Sequence, residues 1–485
     1  MAKEFIVAIE LGSTNIIGVA GKKNIDGSIS ILSVIKEDST SCINKGVVYN
    51  IDKTVQCLTN IIKRLETSLK AKVAQVYVGV GGQSIRSVKN TLIKELPLDT
   101  VVTLDMVNEL MDENRNMTYP AQEVLDAITQ EYKVDAQYQL DPVGIQCTRL
   151  EANLLNILWK KSFYRNLNKC FDNAGIAIAE MYLAPLALAD SVLTDVEKRV
   201  GCVLVDLGAE TTTVSVYYRN ILRHLAVIPL GGNNITIDIA SLQMDDENAE
   251  KMKRKYASAY TDSKDIDENL KYSIDEDRQV DSKTFIEIVE ARLEEIIKNV
   301  WYQVPSEYTD KLLGGFIITG GVSNMKNIEK AFKQHTGVDK IRIANFVQET
   351  INSNIPEITA HDATMNTVLG LIAKGDMNCA GDELTSDLFA KENNTETTST
   401  VIEAPKAPRS ITETQGRGVV PTEAEKQKAE EEARRKREEE EEAEQRAREE
   451  EERRLEEEKR KNSPLNKLFR KTKSFFDQIM KEEGE

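Results

Sequence analysis

VAIELGSTNIIGVAG (residues 7–21) and VLVDLGAETTTVSVY (residues 203–217) align without a gap. Each reads as an apolar strand, a turn of small residues and a second apolar strand. Each also sets one carboxylate inside its first strand, Glu10 in one copy and Asp206 in the other, and Gly12 falls opposite Gly208. A buried, unpaired carboxylate is costly, so an acid facing solvent would be the simplest account of one copy alone. Two copies with the acid at the same place point to a duplicated fold whose halves face one nucleotide. The turns offer backbone N–H groups and hydroxyls to phosphate oxygens, and Glu10 and Asp206 hold a hydrated divalent cation.

A third element follows in LLGGFIITGGVSNMKNIEKAF (residues 312–332), an apolar strand that ends in Gly320-Gly321 and leads to a helix. Paired glycines at a strand's C-terminal end let backbone approach a flat ligand closely. No Walker pattern competes, because GVGGQS (residues 79–84) lacks its lysine and its spacing.

The chain has 485 residues and a net charge of -17, enough length for more than one domain and the wrong sign for a general nucleic-acid binder. Its six cysteines and three histidines show no metal-ligand spacing, which predicts reduced thiols in the cytosol. The opening MAKEFIVAIE runs straight into a strand pattern, so no signal peptide is expected. No run reaches the roughly 18 apolar residues of a spanning helix.

Residues 1 to about 380 alternate strand-like runs (VYVGVGG, GCVLVDLG, GGFIITGG) with helical patterns (DKTVQCLTNIIKRLETSLK, FIEIVEARLEEIIKNVW), the mark of an α/β class. Residues 381–421 turn to Thr, Ser, Asn, Glu and Pro and predict a disordered linker. Residues 422–461 are almost entirely Glu, Arg, Lys, Ala and Gln. They have no coiled-coil seam and predict a solvated helix held by i,i+4 ion pairs.

In the order hairpin, hairpin, strand-Gly-Gly-helix, the chain resembles the actin, heat-shock-chaperone and sugar-kinase superfamily, whose two phosphate motifs and adenosine motif match these segments. Within it, the chain is similar to the FtsA family of bacterial cell-division proteins over residues 1 to about 375, including LRHLAVIPLGGNNITIDIA, IVEARLEEII and HDATMNTVLGLIA. VYVGVGGQSIRS, PLDTVVTLDMVNELMDEN and QEYKVDAQYQLDPVGIQCTRLEANLLNI resemble the extra domain of that family, at about residues 85–166.

The resemblance implies an actin-like, duplicated, two-lobed ATPase fold with an inserted α+β subdomain. The first lobe begins at residues 1–84, and the second lobe with the nucleotide site takes residues 167–380. It implies ATP with Mg²⁺ held by Ser13, Thr14, Asn15, Gly208, Ala209, Glu210, Gly320, Gly321 and Val322, with Glu10 and Asp206 at the metal. It also implies tethering of the tubulin-like FtsZ to the cytoplasmic face of the cell membrane at the division site, self-association into filaments, and contact of later division proteins with the insert. An adaptor of a pilus or cell-shape assembly, or a small-molecule kinase of the same superfamily, remains open.

The match departs from the family at the phosphates. Where the first motif usually reads Asp-x-Gly-Thr-Thr-Lys, the chain has Glu10, Leu11, Gly12, Ser13, Thr14 and Asn15. The extra methylene displaces the carboxylate by about 1.5 Å, and Asn15 removes a cation. Where the second usually reads Gly-Gly-Gly-Thr, the chain has Gly208, Ala209, Glu210 and Thr211. An inward Glu210 would repel phosphate. These departures predict ATP binding with weak or absent turnover, and no residue is assigned as a water-activating base.

In NSPLNKLFRKTKSFFDQIMKEEGE (residues 462–485), Leu465, Leu468, Phe469, Phe475, Phe476, Ile479 and Met480 share one face of a helix. Lys467, Arg470, Lys471 and Lys473 lie around the other, and Ser463 caps with Pro464 at the first helical position. On a tether this reads as an interfacial anchor on anionic membrane lipid, whose seven apolar side chains are worth on the order of 10 kcal/mol if fully buried. Phe469→Glu with Phe476→Glu is expected to abolish liposome flotation at any salt concentration. Changing the four cations to Gln is expected to leave weak binding that ignores lipid charge.

Overall fold

The hairpin at residues 7–21 forms as Ile6–Leu11 paired antiparallel with Asn15–Lys23, Glu10 opposite Ile17, in a computed structural model that describes residues 4–383 apart from 263, 265, 268 and 275–277. Asn15–Lys23 pairs antiparallel with Ile29–Asp38. On the other side Ile6–Leu11 pairs in parallel with Val76–Val80, and that strand in parallel with Ile178–Leu183. The second copy repeats the arrangement. Cys202–Leu207 pairs antiparallel with Thr212–Tyr218, Asp206 opposite Thr213, and Thr212–Tyr218 pairs antiparallel with Ile221–Ile228. Cys202–Leu207 then runs parallel to Gly315–Thr319, which runs parallel to Ile341–Ile343. The two turns close identically: the Gly12 amide donates to the Asn15 carbonyl at 3.0 Å, and the Gly208 amide to the Thr211 carbonyl at 2.9 Å.

Parallel neighbours require helical crossovers, and each lobe supplies them between its meander and its fourth strand. In the first lobe Ile51–Leu69 starts at Asn50, whose side chain accepts from the Lys53 amide, and buries Thr54, Leu58, Ile61 and Leu65 at helical spacing. In the second, Gly232–Ala240, Asp246–Tyr256 and Ser282–Gln303 fill the same role. Ser282–Gln303 packs on Thr212–Tyr218 and Ile221–Ile228 and buries Phe285, Val289, Leu293, Ile296 and Val300 in the core of the second lobe.

Chain order and lobe membership differ. The segment expected to form the second lobe from residue 167 is split: Ile178–Leu183 belongs to the first sheet, and Asn366–Lys374 packs with Ala184–Val192 on the first lobe. A boundary at 166/167 also falls inside the helix Lys161–Ala174. The reason is long-range pairing, since Ile178–Leu183 finds its partner in Val76–Val80. At the end of the described residues, Ala380–Glu383 pairs with Ala71–Val73, so the ordered chain runs past the expected linker start at 381. The rest of the expected linker, the charged segment 422–461 and the expected helix 462–485 with Leu465, Lys467, Leu468, Phe469, Arg470, Lys471, Lys473, Phe475, Phe476, Ile479 and Met480 lie outside the described residues.

The insert is a three-stranded antiparallel sheet, Gln122–Val134, Gln146–Lys160 and Arg86–Val101 in that order, with Gln137–Gln139 at its edge and the helix Leu104–Arg115 against it. Its sheet continues into the second lobe through an Arg86–Ala226 pairing with Ile221–Ile228. Beneath the helix lies a buried polar cluster. The Asn114 and Asn156 side chains exchange hydrogen bonds of 2.6 and 3.0 Å, and Asn156 also donates to the Tyr119 hydroxyl at 3.0 Å. Removing one member strands the others in an apolar setting. Asn156→Ala is therefore expected to cost about 1–3 kcal/mol, read as a lower denaturation midpoint, whereas Thr91→Ala on the exposed face of the same sheet should change stability by less than about 0.5 kcal/mol.

Candidate functional site

Glu10 and Asp206 stand one residue before the ends of equivalent strands, each next to a parallel neighbour: Glu10 beside Gly79 and Asp206 beside Thr319. Both residues are half-buried, and one Glu10 oxygen, Oε2, is enclosed with no hydrogen-bond partner among the described residues. Burial pushes the Glu10 carboxyl up to about 8. The nearby Asp206 charge adds to this, while Lys36 and the Val368 amide act in the opposite sense. Burial alone pushes Asp206 up to about 6.

Both turns are tied down by hydrogen bonds. In the first, the Ser39 hydroxyl donates to the Gly12 carbonyl at 2.6 Å and the Ser39 amide to the Thr14 carbonyl at 3.1 Å, while the Asn15 amide group donates to the Thr14 hydroxyl at 3.3 Å. Ser13 is buried, and its hydroxyl accepts from the Gly46 amide at 2.9 Å. In the second, the Gly208 and Ala209 carbonyls accept from the Gly232 and Asn233 amides at 3.0 and 2.6 Å. The helix Gly232–Ala240 thereby starts directly on this turn. The Glu210 carboxylate accepts from the Lys45 amide at 2.5 Å.

Gly320 is held at φ +87, and a Cβ there would lie 2.5 Å from Asp206 Oδ1 and 2.6 Å from the Leu207 carbonyl. Only glycine permits that approach. Gly321–Asn324 forms one 3-10 turn, pinned by Ser323, whose amide and hydroxyl both donate to the Gly320 carbonyl. Val322 reaches over the second turn, where a Cβ on Gly232 would meet it at 2.7 Å. The structure thus brings Asp206, Gly208, Ala209, Gly320, Gly321 and Val322 to one end of the second-lobe sheet. Glu10, Ser13, Thr14 and Asn15 stand at the matching end of the first, with Glu210 reaching between them.

Several further residues of this site carry little signal in the sequence. Lys253 donates to the Gly232 carbonyl at 2.9 Å and to the Thr236 hydroxyl at 2.7 Å, and pairs with Glu250 at 2.6 Å. Burial lowers the proton affinity of Lys253, and Glu250 opposes that shift. Gly231-Gly232 in PLGGNNITIDIA carried the usable signal, a glycine pair opening a helix. Lys45-Gly46 carried only a weak one, a two-residue turn between very short strands.

These observations fit a nucleotide with a divalent cation. Two carboxylates, one with an orphaned oxygen, suit a Mg²⁺ that keeps most of its waters. The glycine-lined approach at Gly320 and the amide-rich turns suit phosphate and a flat base.

Two family models match the chain: "Cell division protein FtsA" over residues 203–370 and "SHS2 domain inserted in FTSA" over residues 82–158. The cell division protein FtsA of Porphyromonas gingivalis is 30% identical over 389 residues, covering 78% of this chain and 80% of that protein. The chain belongs to the FtsA family. FtsA of Pseudomonas aeruginosa is likewise 30% identical, over 330 residues that cover 67% of this chain and 79% of that protein. A solved "PilM-PilN type IV pilus biogenesis complex" shares the fold, with a TM-score of 0.53 at 13% identity over 76% of this chain and 97% of its own. The fold is therefore the actin-like one that the two hairpins led us to expect, with the family's own domain inserted.

Because the folded chain holds the Glu10 proton more tightly than the unfolded chain does, folding is favoured below about pH 4.5, and that advantage fades as pH rises towards about 8. In chelator-treated protein, melting temperature is expected to fall across this window. Glu10→Gln is expected to flatten the fall and to be the more stable form at pH 8 by roughly 4 kcal/mol, at about 1.4 kcal/mol per unit of pKa.

Proposed function

We propose that this chain is an ATP-binding division protein that tethers FtsZ filaments to the cytoplasmic membrane at the division site. The observation that carries the nucleotide part is the placement of Glu10 and Asp206, two half-buried acids, one residue before the ends of the duplicated strands, with Gly320, a glycine that no other residue could replace, against Asp206. Glu10 and Asp206 would hold the Mg²⁺, which neutralises phosphate charge when bound. Ser13, Thr14, Asn15, Gly208 and Ala209 would meet the phosphates, and Gly320, Gly321 and Val322 the adenosine. Family membership supports the division role, and the basic amphipathic stretch at residues 462–485 supports the membrane role. Self-association into filaments and contact of later division proteins with the insert follow from the same reading.

Nucleotide serves here as a clamp between lobes. Asn15 stands where the family's usual motif has a lysine and spends its side chain on Thr14, so no side-chain cation meets the phosphates from this position. Ser13 and Glu210 are already engaged with the Lys45-Gly46 turn. A site built this way binds more readily than it hydrolyses.

Calorimetry on the full chain is expected to show Mg²⁺-dependent ATP binding that Asp206→Ala weakens by about tenfold or more, the worth of one lost charge-assisted contact. Phosphate release should stay far below the enzyme median of about 10 per second. FtsZ should co-pellet with anionic liposomes only when the full chain is present. The absence of any Mg²⁺-ATP binding would remove the nucleotide reading, and FtsZ that pellets equally without the chain would remove the tether.

A further inference from the structure

Lys45 and Gly46 are the two central residues of a hairpin turn between the short strands Ile43–Asn44 and Val47–Val48, at φ +49 and +72. Two consecutive positive φ values make the tightest hairpin turn. Here both amides point at the phosphate turns. Gly46 donates to Ser13 Oγ at 2.9 Å, and Lys45 donates to the Glu210 carboxylate at 2.5 Å across a separation of 165 residues.

Neither side of this contact is free to drift. Behind the turn, the Gln83 amide donates to the Lys45 carbonyl at 2.8 Å, and Gly82, at φ +106, lies so close that a Cβ on it would sit 2.3 Å from the Gly46 carbonyl oxygen. On the far side, the backbone around Glu210 is pinned by the three bonds to Gly208 and Ala209 described above. The carboxylate therefore reaches a fixed donor from a fixed loop, and it comes from the position at which the family's usual motif carries glycine.

We infer that the Lys45-Gly46 turn is a third anion-binding element of the cleft, and that Glu210 is its built-in plug. The ligand it would take is the terminal phosphoryl group of a nucleoside triphosphate, lying between the Ser13 turn and the Glu210 turn. A triphosphate must displace the Glu210 carboxylate from the Lys45 amide, because two anions cannot share one donor, whereas a diphosphate leaves the plug in place. Glu210 thus sets the discrimination between the two nucleotides and couples the identity of the bound nucleotide to a contact between the lobes. This deepens, and rests on, the nucleotide site proposed above.

The test compares a non-hydrolysable ATP analogue with ADP, each with Mg²⁺, by calorimetry on full-length wild type, Glu210→Gln and Glu210→Ala. Removing the carboxylate is expected to tighten the triphosphate by about tenfold, the worth of one hydrogen bond to a charged group. ADP affinity should change by less than about twofold, with Gln intermediate because its amide oxygen still accepts without charge. Equal gains for both nucleotides, or loss of triphosphate binding in the Ala variant, would overturn the plug. Hydrogen exchange at the Lys45 amide gives a readout independent of nucleotide: it should be faster in Glu210→Ala than in wild type and slow again when inorganic phosphate is added. If wild type binds neither nucleotide, the site proposed above fails on its own. The plug then stands if phosphate protects that amide in Glu210→Ala and falls if phosphate leaves it unchanged.

Discussion

Two carboxylates that the fold withdraws from water at the ends of equivalent strands set the terms for everything around them. Glu10 is disfavoured as an anion first by burial and then by the Asp206 charge, while burial alone disfavours the Asp206 anion. An isolated pair of this kind would be replaced by apolar residues at no loss to the core. Its retention in both copies of the duplicated hairpin makes sense if a cation completes it. The parallel neighbours, the glycine at 320 and the helix that begins on the Gly208 turn all lie where they keep that point accessible while packing the rest of each strand into apolar cores.

The duplication was legible in the sequence because it is local. A strand, a four-residue turn and a return strand fix their own register, so equivalence in a fifteen-residue window carried over to equivalence of pairing, with Glu10 opposite Ile17 and Asp206 opposite Thr213. Lobe membership was illegible for the opposite reason. Nothing within Ile178–Leu183 says that it pairs with Val76–Val80 rather than with the strand that follows it in the chain, and nothing within Asn366–Lys374 says that it returns to the first lobe. The insert's merger with the second sheet through Arg86 and Ala226 is a pairing across 140 residues, and no local pattern encodes it.

Turn chemistry was the other blind spot. A two-residue hairpin with both φ values positive usually announces itself as Asn-Gly or Asp-Gly. Lys45-Gly46 keeps only the glycine, and its flanking strands are two residues long, too short for alternation to show. What makes the turn affordable lies elsewhere: Gly82 gives it room and Gln83 holds its carbonyl, and neither reads as part of a site while GVGGQS is judged only against a phosphate-loop template.

Glu210 shows how such an omission changes the sign of an argument. Considered with its own loop alone, a carboxylate in place of glycine is an anion among anions, and the inference is repulsion. Beside the Lys45 amide it is a satisfied acceptor, and the backbone geometry that a phosphate would use is already in use by the protein. The cost to a ligand is then competition for one donor rather than a diffuse field. It acts on the last phosphate instead of on the whole nucleotide, and it reaches across the cleft because donor and acceptor belong to different lobes. A substitution that looks like decay of a motif is, in this fold, a way of making the contact between the two lobes depend on how many phosphates lie between them.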